Sequence, residues 1–152
     1  IHRYTGKFVS ATYTEVSTPF DGTIDGLYSL ARATRDTYSL PAVTLSVHII
    51  YAPGSFGDNR IFRTLGASID ATTIFLFKQD IPAGFEDVTL AHEFGHLLGL
   101  CGLAMDDPEN VCDGDGHARD PQSLMAAVLK ATSPWVQKLE LQPKEVALLG
   151  RL

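Results

Sequence analysis

The feature that most constrains this chain is the pentad His92-Glu93-Phe94-Gly95-His96. On an α-helix, residues four apart lie one above the other on a single face, so His92 and His96 would present two imidazole nitrogens to one point in space. An ion that accepts nitrogen donors tetrahedrally, zinc above all, suits such a pair. Glu93 stands about 100° further round the helix. From there it can orient and deprotonate a water acidified by the ion without binding the ion itself. The alternative is a surface helix with two solvated histidines. The surroundings favour the metal reading: Glu86 to Leu98 is helical in pattern, Glu86 and Asp87 complement the macrodipole in the first turn, and Gly99 follows as a C-cap.

A catalytic zinc site uses three protein ligands and keeps one position open. The other histidines are His2, His48 and His117. His2 is terminal and His48 falls within a strand pattern, which leaves His117 by elimination. A downstream glutamate, Glu140 or Glu145, is the alternative donor, as in an aminopeptidase-like zinc hydrolase. Cys101 and Cys112, eleven positions apart, are read as one short disulfide in an oxidising compartment, as two buried thiols, or as a thiolate donor to the metal. Between and beyond them Asp106, Asp107, Glu109, Asp113 and Asp115 form either a solvated acidic loop or a set of oxygen ligands for calcium.

The run HEFGHLLGL at His92 to Leu100 resembles the metzincin signature and, within that clan, the matrixins. The run His117-Ala118-Arg119-Asp120-Pro121-Gln122-Ser123-Leu124-Met125 resembles the matrixin continuation from the third histidine to the turn methionine. The resemblance covers roughly Ala71 to Leu152. It implies a zinc-dependent endopeptidase with one zinc held by His92, His96 and His117, Glu93 as general base acting on a metal-activated water, and Met125 in a tight turn beneath the metal. The implied fold is α+β: a metzincin-like zincin catalytic domain with a twisted mixed sheet, an antiparallel edge strand, the active-site helix, the Met-turn and a C-terminal helix. By the same resemblance Thr72 to Phe77 is the edge strand and Leu141 to Leu152 the last helix. A polypeptide substrate would pair along that edge near Ile74 and Leu76, with Ala126 and Val128 walling a pocket on the primed side. The loop Gly54 to Asn59 is a further calcium candidate.

The chain departs from the family pattern at one place. The third histidine is usual at position 102, which here is Gly102, and His117 arrives after an excursion through Cys101 to Gly116. The separation of His117 from Met125 is that of matrixin-like sequences, so the extra length reads as an insertion upstream of the ligand. A loose segment between two ligands raises the entropic cost of assembling the site. A Cys101–Cys112 bridge would offset that cost, contributing about 3 kcal/mol in the chain-entropy model.

Elsewhere, Ile1 to Val16 has the Tyr, Thr, Val and Phe content of a strand. Ile24, Leu27, Tyr28 and Ala31 recur at helical spacing after Asp21, a cap. From Val43, the residues Leu45, Val47, Ile49 and Tyr51 alternate with polar ones up to Ala52-Pro53-Gly54, the pattern of a half-buried strand. Gly54, Gly57, Asp58 and Asn59 mark a loop, and Pro143 with Val146, Leu149 and Leu152 a closing helix. With 152 residues, 45% of them hydrophobic and 20% charged, one domain spanning residues 1–152 is expected. The net charge of −6 has no basic stripe to draw nucleic acid, and no apolar run is long enough to span a membrane. A chain that starts at Ile1 without a leader pattern, with paired cysteines, is expected to be a processed, extracytoplasmic or secreted monomer. A catalytically silent zinc-bearing interaction module is a third functional class, against which the intact Glu93 argues.

Overall fold

The computed structural model describes residues 20–37, 47–56, 64–101 and 111–127, together with Pro143, Lys144 and Val146. Among these residues lie helix α1 (Ile24–Thr37), strands β1 (His48–Ala52), β2 (Gly66–Asp70) and β3 (Thr73–Phe77), and helix α2 (Glu86–Leu97). The order β1-β3-β2 makes a mixed sheet, with β1 parallel to β3 and β2 antiparallel to it. At this level the expected α+β class is present.

Strand alternation divides the sheet into two faces. Phe75 and Phe77 of β3, Ile50 and Ala52 of β1, and Ala67 and Ile69 of β2 share one face. They pack there with Leu27, Leu30 and Ala31 of α1 into the larger hydrophobic cluster. Phe20 and Phe56 stack on Phe77, with ring centroids 5.9 and 5.5 Å away. The opposite face of β2 and β3 receives α2, so the sheet lies between two helices. Helix α1 begins because the Thr23 hydroxyl accepts from the Gly26 amide (3.0 Å), two residues into the first turn. The cap is therefore Thr23; Asp21, expected in that role, accepts from the Thr23 amide and hydroxyl instead and braces the capping residue.

Thr72 to Phe77 was expected at the sheet edge, but β3 is the middle strand, and all five of its residues are buried. Ile74 and Leu76 are fully covered, so they cannot line an open substrate groove. Their unbroken apolar run, Ile-Phe-Leu-Phe, is that of a strand covered on both faces rather than a half-exposed one. The antiparallel strand with one neighbour among the described residues is β2, which joins β3 through a turn in which Asp70 accepts from the Thr72 amide and hydroxyl.

The expected strand Ile1 to Val16, the start of the Val43 strand up to Ser46, Gly57 to Asn59, and most of the closing helix lie outside the described residues. Pro143, Lys144 and Val146, which belong to that closing helix, are helical.

Candidate metal centre

Helix α2 carries His92, Glu93 and His96, and it stops abruptly in a way its sequence dictates. Gly99 has a φ of 85°, the left-handed region that glycine enters without cost. Its amide donates to His96 O (2.8 Å) and the Leu100 amide to Gly95 O (3.0 Å), the Schellman pattern. The chain is thereby reversed under the helix, and Leu100 joins a second buried cluster with Ala118 and Met125, against which Val111 packs.

The third histidine comes from the excursion after α2. A disulfide links Cys101, four residues past the end of α2, to Cys112, with the Cα atoms 5.4 Å apart. Cys112 bridges Ala118 in antiparallel fashion, and Ala118 in turn bridges Ala126 in the Met125 turn. The intervening turn is closed by Asp113: its amide donates to His117 O (2.8 Å), and its carboxylate accepts from the amides of Asp115 (2.8 Å) and His117 (3.0 Å). These bonds hold the Asp113 carboxyl below the usual carboxylate range. Of the acidic residues considered for calcium, Asp113 thus folds the ligand loop; Asp106, Asp107 and Glu109 lie outside the described residues, as do the alternative donors Glu140 and Glu145.

This scaffold brings His92, His96 and His117 together, with one ligand nitrogen from each inside a span of 4.8 Å. The ring centroids are 4.7 Å apart for His92 and His96, 5.5 Å for His92 and His117, and 5.1 Å for His96 and His117. Nδ1 of His92 lies 2.7 Å from Leu124 O. A carbonyl can only accept, so Nδ1 carries the proton and Nε2 keeps its lone pair. That Nε2 lies 3.0 Å from Nε2 of His96, close to the edge of roughly 3.4 Å in a tetrahedron of zinc–nitrogen bonds. His96 is tied to the backbone of Leu100. Two of the three imidazoles therefore have a partner of the kind that orients metal-binding histidines.

Electrostatics favour the neutral imidazole at His92 and at His96. Burial lowers His92 and the nearby His117 lowers it further, against the opposing bond to Leu124. Burial and the neighbouring His92 and His117 push His96 down to about 4. The donor set, one imidazole nitrogen from each of three histidines inside a span of 4.8 Å, fits a zinc ion.

Glu93 is 5% exposed. Burial pushes its carboxyl up to about 7, while hydrogen bonding to Ser68 works in the opposite direction. The Ser68 hydroxyl reaches both Glu93 O (2.8 Å) and Glu93 Oε2 (3.1 Å). Gly66, on the same face of β2, approaches so closely that a Cβ there would lie 2.8 Å from Glu93 Cγ and 2.9 Å from Oε1. Neither Gly66 nor Ser68 stood out in the sequence, because their partner is distant along the chain and nothing local marks the pairing.

Met125 is fully buried, its amide bonded to Ser123 Oγ (2.8 Å) and its carbonyl to the Ala118 amide (2.8 Å). It lies against Gly95, which stands between the two helical histidines in sequence. Ala126 is buried and bonded within this turn, and Val128 lies outside the described residues. His48 opens β1, and His2 lies outside the described residues. Comparison of the chain with protein-family models, with curated sequences and with solved structures gave no match in any of the three.

Proposed function

We propose that the chain is a zinc-dependent endopeptidase of the metzincin type, similar to the matrixins. The observation that carries the reading is the convergence of His92, His96 and His117 on one point, beside a glutamate that is buried yet not part of the donor set. A bound zinc would acidify water and polarise a carbonyl oxygen. The chain's own residues would do the rest. The three imidazoles hold the ion, and the Leu124 carbonyl keeps His92 in the tautomer whose Nε2 is free. Glu93 takes a proton from water at its carboxylate and passes it to the departing amine, a task suited to a carboxyl raised to about 7.

An extended peptide would pair along β2, which among the described residues has β3 as its one neighbour and holds Glu93 at Gly66 and Ser68. Pairing along a strand favours internal bonds of a polypeptide over terminal ones. The disulfide supports an oxidising, extracytoplasmic setting. Among the described residues no helix is long and apolar enough to cross a membrane.

The test is metal analysis of the purified protein combined with cleavage-site mapping on a denatured protein mixture. The expected result is one zinc per chain and cuts at internal bonds, abolished by chelation and restored by zinc. Zinc-loaded protein that cuts only at chain termini would favour an aminopeptidase-like enzyme, and zinc without any hydrolysis would favour a silent interaction module.

A further inference from the structure

The contact between β2 and Glu93 assigns work to a residue outside the metal-binding motif. Ser68 stands on the face of β2 turned toward α2, twenty-five positions from Glu93 in sequence. Its hydroxyl has one proton and two acceptors from the same glutamate, the backbone carbonyl at 2.8 Å and Oε2 at 3.1 Å. A contact to the carbonyl alone would pin the helix to the strand, and a contact to the carboxylate alone would leave the helix free to slide. Engaging both fixes the carboxylate relative to its own backbone and to β2 together. Gly66, two residues earlier on the same face, has no side chain to displace the carboxyl from Ser68.

We infer that Ser68 is a positioning residue for Glu93, holding the carboxylate at a set place against the strand on which substrate docks. This rests on the reading of Glu93 as the general base. Ala67 and Ile69 turn to the opposite face and pack into the core, so on the α2 side of β2 the anchoring of Glu93 falls to Ser68, whose backbone also bonds the carboxyl and whose hydroxyl is the part a substitution can remove. Because β2 is also the proposed docking strand, the same segment places the peptide and the base. An error in the position of the base appears in turnover rather than in binding, since no substrate contact is lost.

A pair of variants alike in shape tests this: Ser68→Thr keeps the hydroxyl, and Ser68→Val replaces it with a methyl. Each is measured for zinc content, thermal midpoint, kcat and KM on a peptide that the parent cleaves. The expected result is parent-like kcat for Ser68→Thr and a kcat lower by about 10- to 100-fold for Ser68→Val. Zinc content and KM should stay close to those of the Thr variant. Equal kcat in the two variants overturns the role of Ser68 while leaving the endopeptidase reading intact. A difference that follows loss of zinc or of folded protein in the Val variant also overturns it, since the serine would then be structural. A parent that binds zinc and hydrolyses no peptide overturns the functional reading, and this inference with it.

Discussion

Gly95 lies where Met125 leaves no room for a side chain: a Cβ on Gly95 would overlap Met125 Sδ and approach Cε to 2.9 Å. The helix bearing two ligands and the turn that follows the third are thus in direct contact, and the glycine inside the pentad is a packing requirement. Replacing it with alanine sets two effects against each other. Alanine in a helix interior gains about 0.5–1 kcal/mol over glycine, while forcing a methyl into a filled space costs typically about 1–3 kcal/mol. The atoms in the way are the end of the Met125 side chain, but Met125 is fully buried against Leu100 and Ala118 and has little space to turn aside, so the cost wins.

Gly95→Ala is therefore expected to lower stability by about 0.5–2 kcal/mol, the difference between those two effects. Combining it with Met125→Ala makes room for the methyl, so the double variant should be less destabilised than the sum of the two single changes. Thermal unfolding of the three variants checks this, and strict additivity would show that the two residues do not press on each other.

The general-base role predicts a separation of binding from rate. Glu93→Ala removes no nitrogen donor, so zinc content should hold while peptide hydrolysis falls by about two to four orders of magnitude, the range for a positioned acid–base group. Residual turnover within about tenfold of the parent would rule the role out.

The parts of the site that were legible in the sequence share one property: their geometry is local. His92 and His96 are a helical repeat apart, Gly99 ends its own helix, and His117 stands eight residues before Met125. The disulfide was legible as one of three readings of Cys101 and Cys112, and the structure contains it. What escaped is non-local or chemically quiet. Strand β2, Gly-Ala-Ser-Ile-Asp, has one strongly strand-forming residue, so its pairing is imposed by β3 rather than by its own propensity. Placing the edge at Thr72 to Phe77 followed from its β-branched and aromatic content. That content marks a strand, and only the absence of alternation marks a central one. Ser68 and Asp113 act through contacts to Glu93 and to the His117 amide that no spacing rule encodes.

Acidity should act on the metal-free protein with a sign set by the histidines and reversed at Glu93. His96 is lowered from 6.5 to about 4 and His92 is lowered as well, each chiefly by burial. The unfolded chain binds those protons first, so the contribution of the histidines to stability is complete above pH 6.5 and is lost as pH falls towards 4. Glu93, raised from 4.5 to about 7, contributes below 4.5, and that contribution is lost as pH rises to about 7. Thermal unfolding with chelator present should show the midpoint falling on acidification below 6.5. Glu93→Gln, which cannot ionise, should gain on the parent between 4.5 and about 7 and hold that gain above. A parent–variant difference that does not change with pH would refute the burial of the carboxyl.

His117 is far from His96 along the chain, and the bracing that brings it to the other two histidines supplies a graded test. His117 precedes Ala118, which is bridged on one side to Cys112 and on the other to Ala126. Cys112 is tied through the disulfide to Cys101 just beyond α2, and the His117 amide is held by Asp113. Removing the imidazole deletes a donor, whereas removing a brace only loosens the donor. His117→Ala should therefore weaken zinc binding most. Asp113→Ala should weaken it by about 10- to 100-fold, as the loss of an orienting partner does. Cys101→Ser with Cys112→Ser should lower stability by about 3 kcal/mol, from the closed loop it reopens, and should weaken zinc binding without abolishing it. Glu140→Ala and Glu145→Ala should leave affinity unchanged. Competitive chelator titrations on these variants order them, and parent-like affinity in His117→Ala, or a loss in either glutamate variant as large as that in His92→Ala, would transfer the third position to another residue.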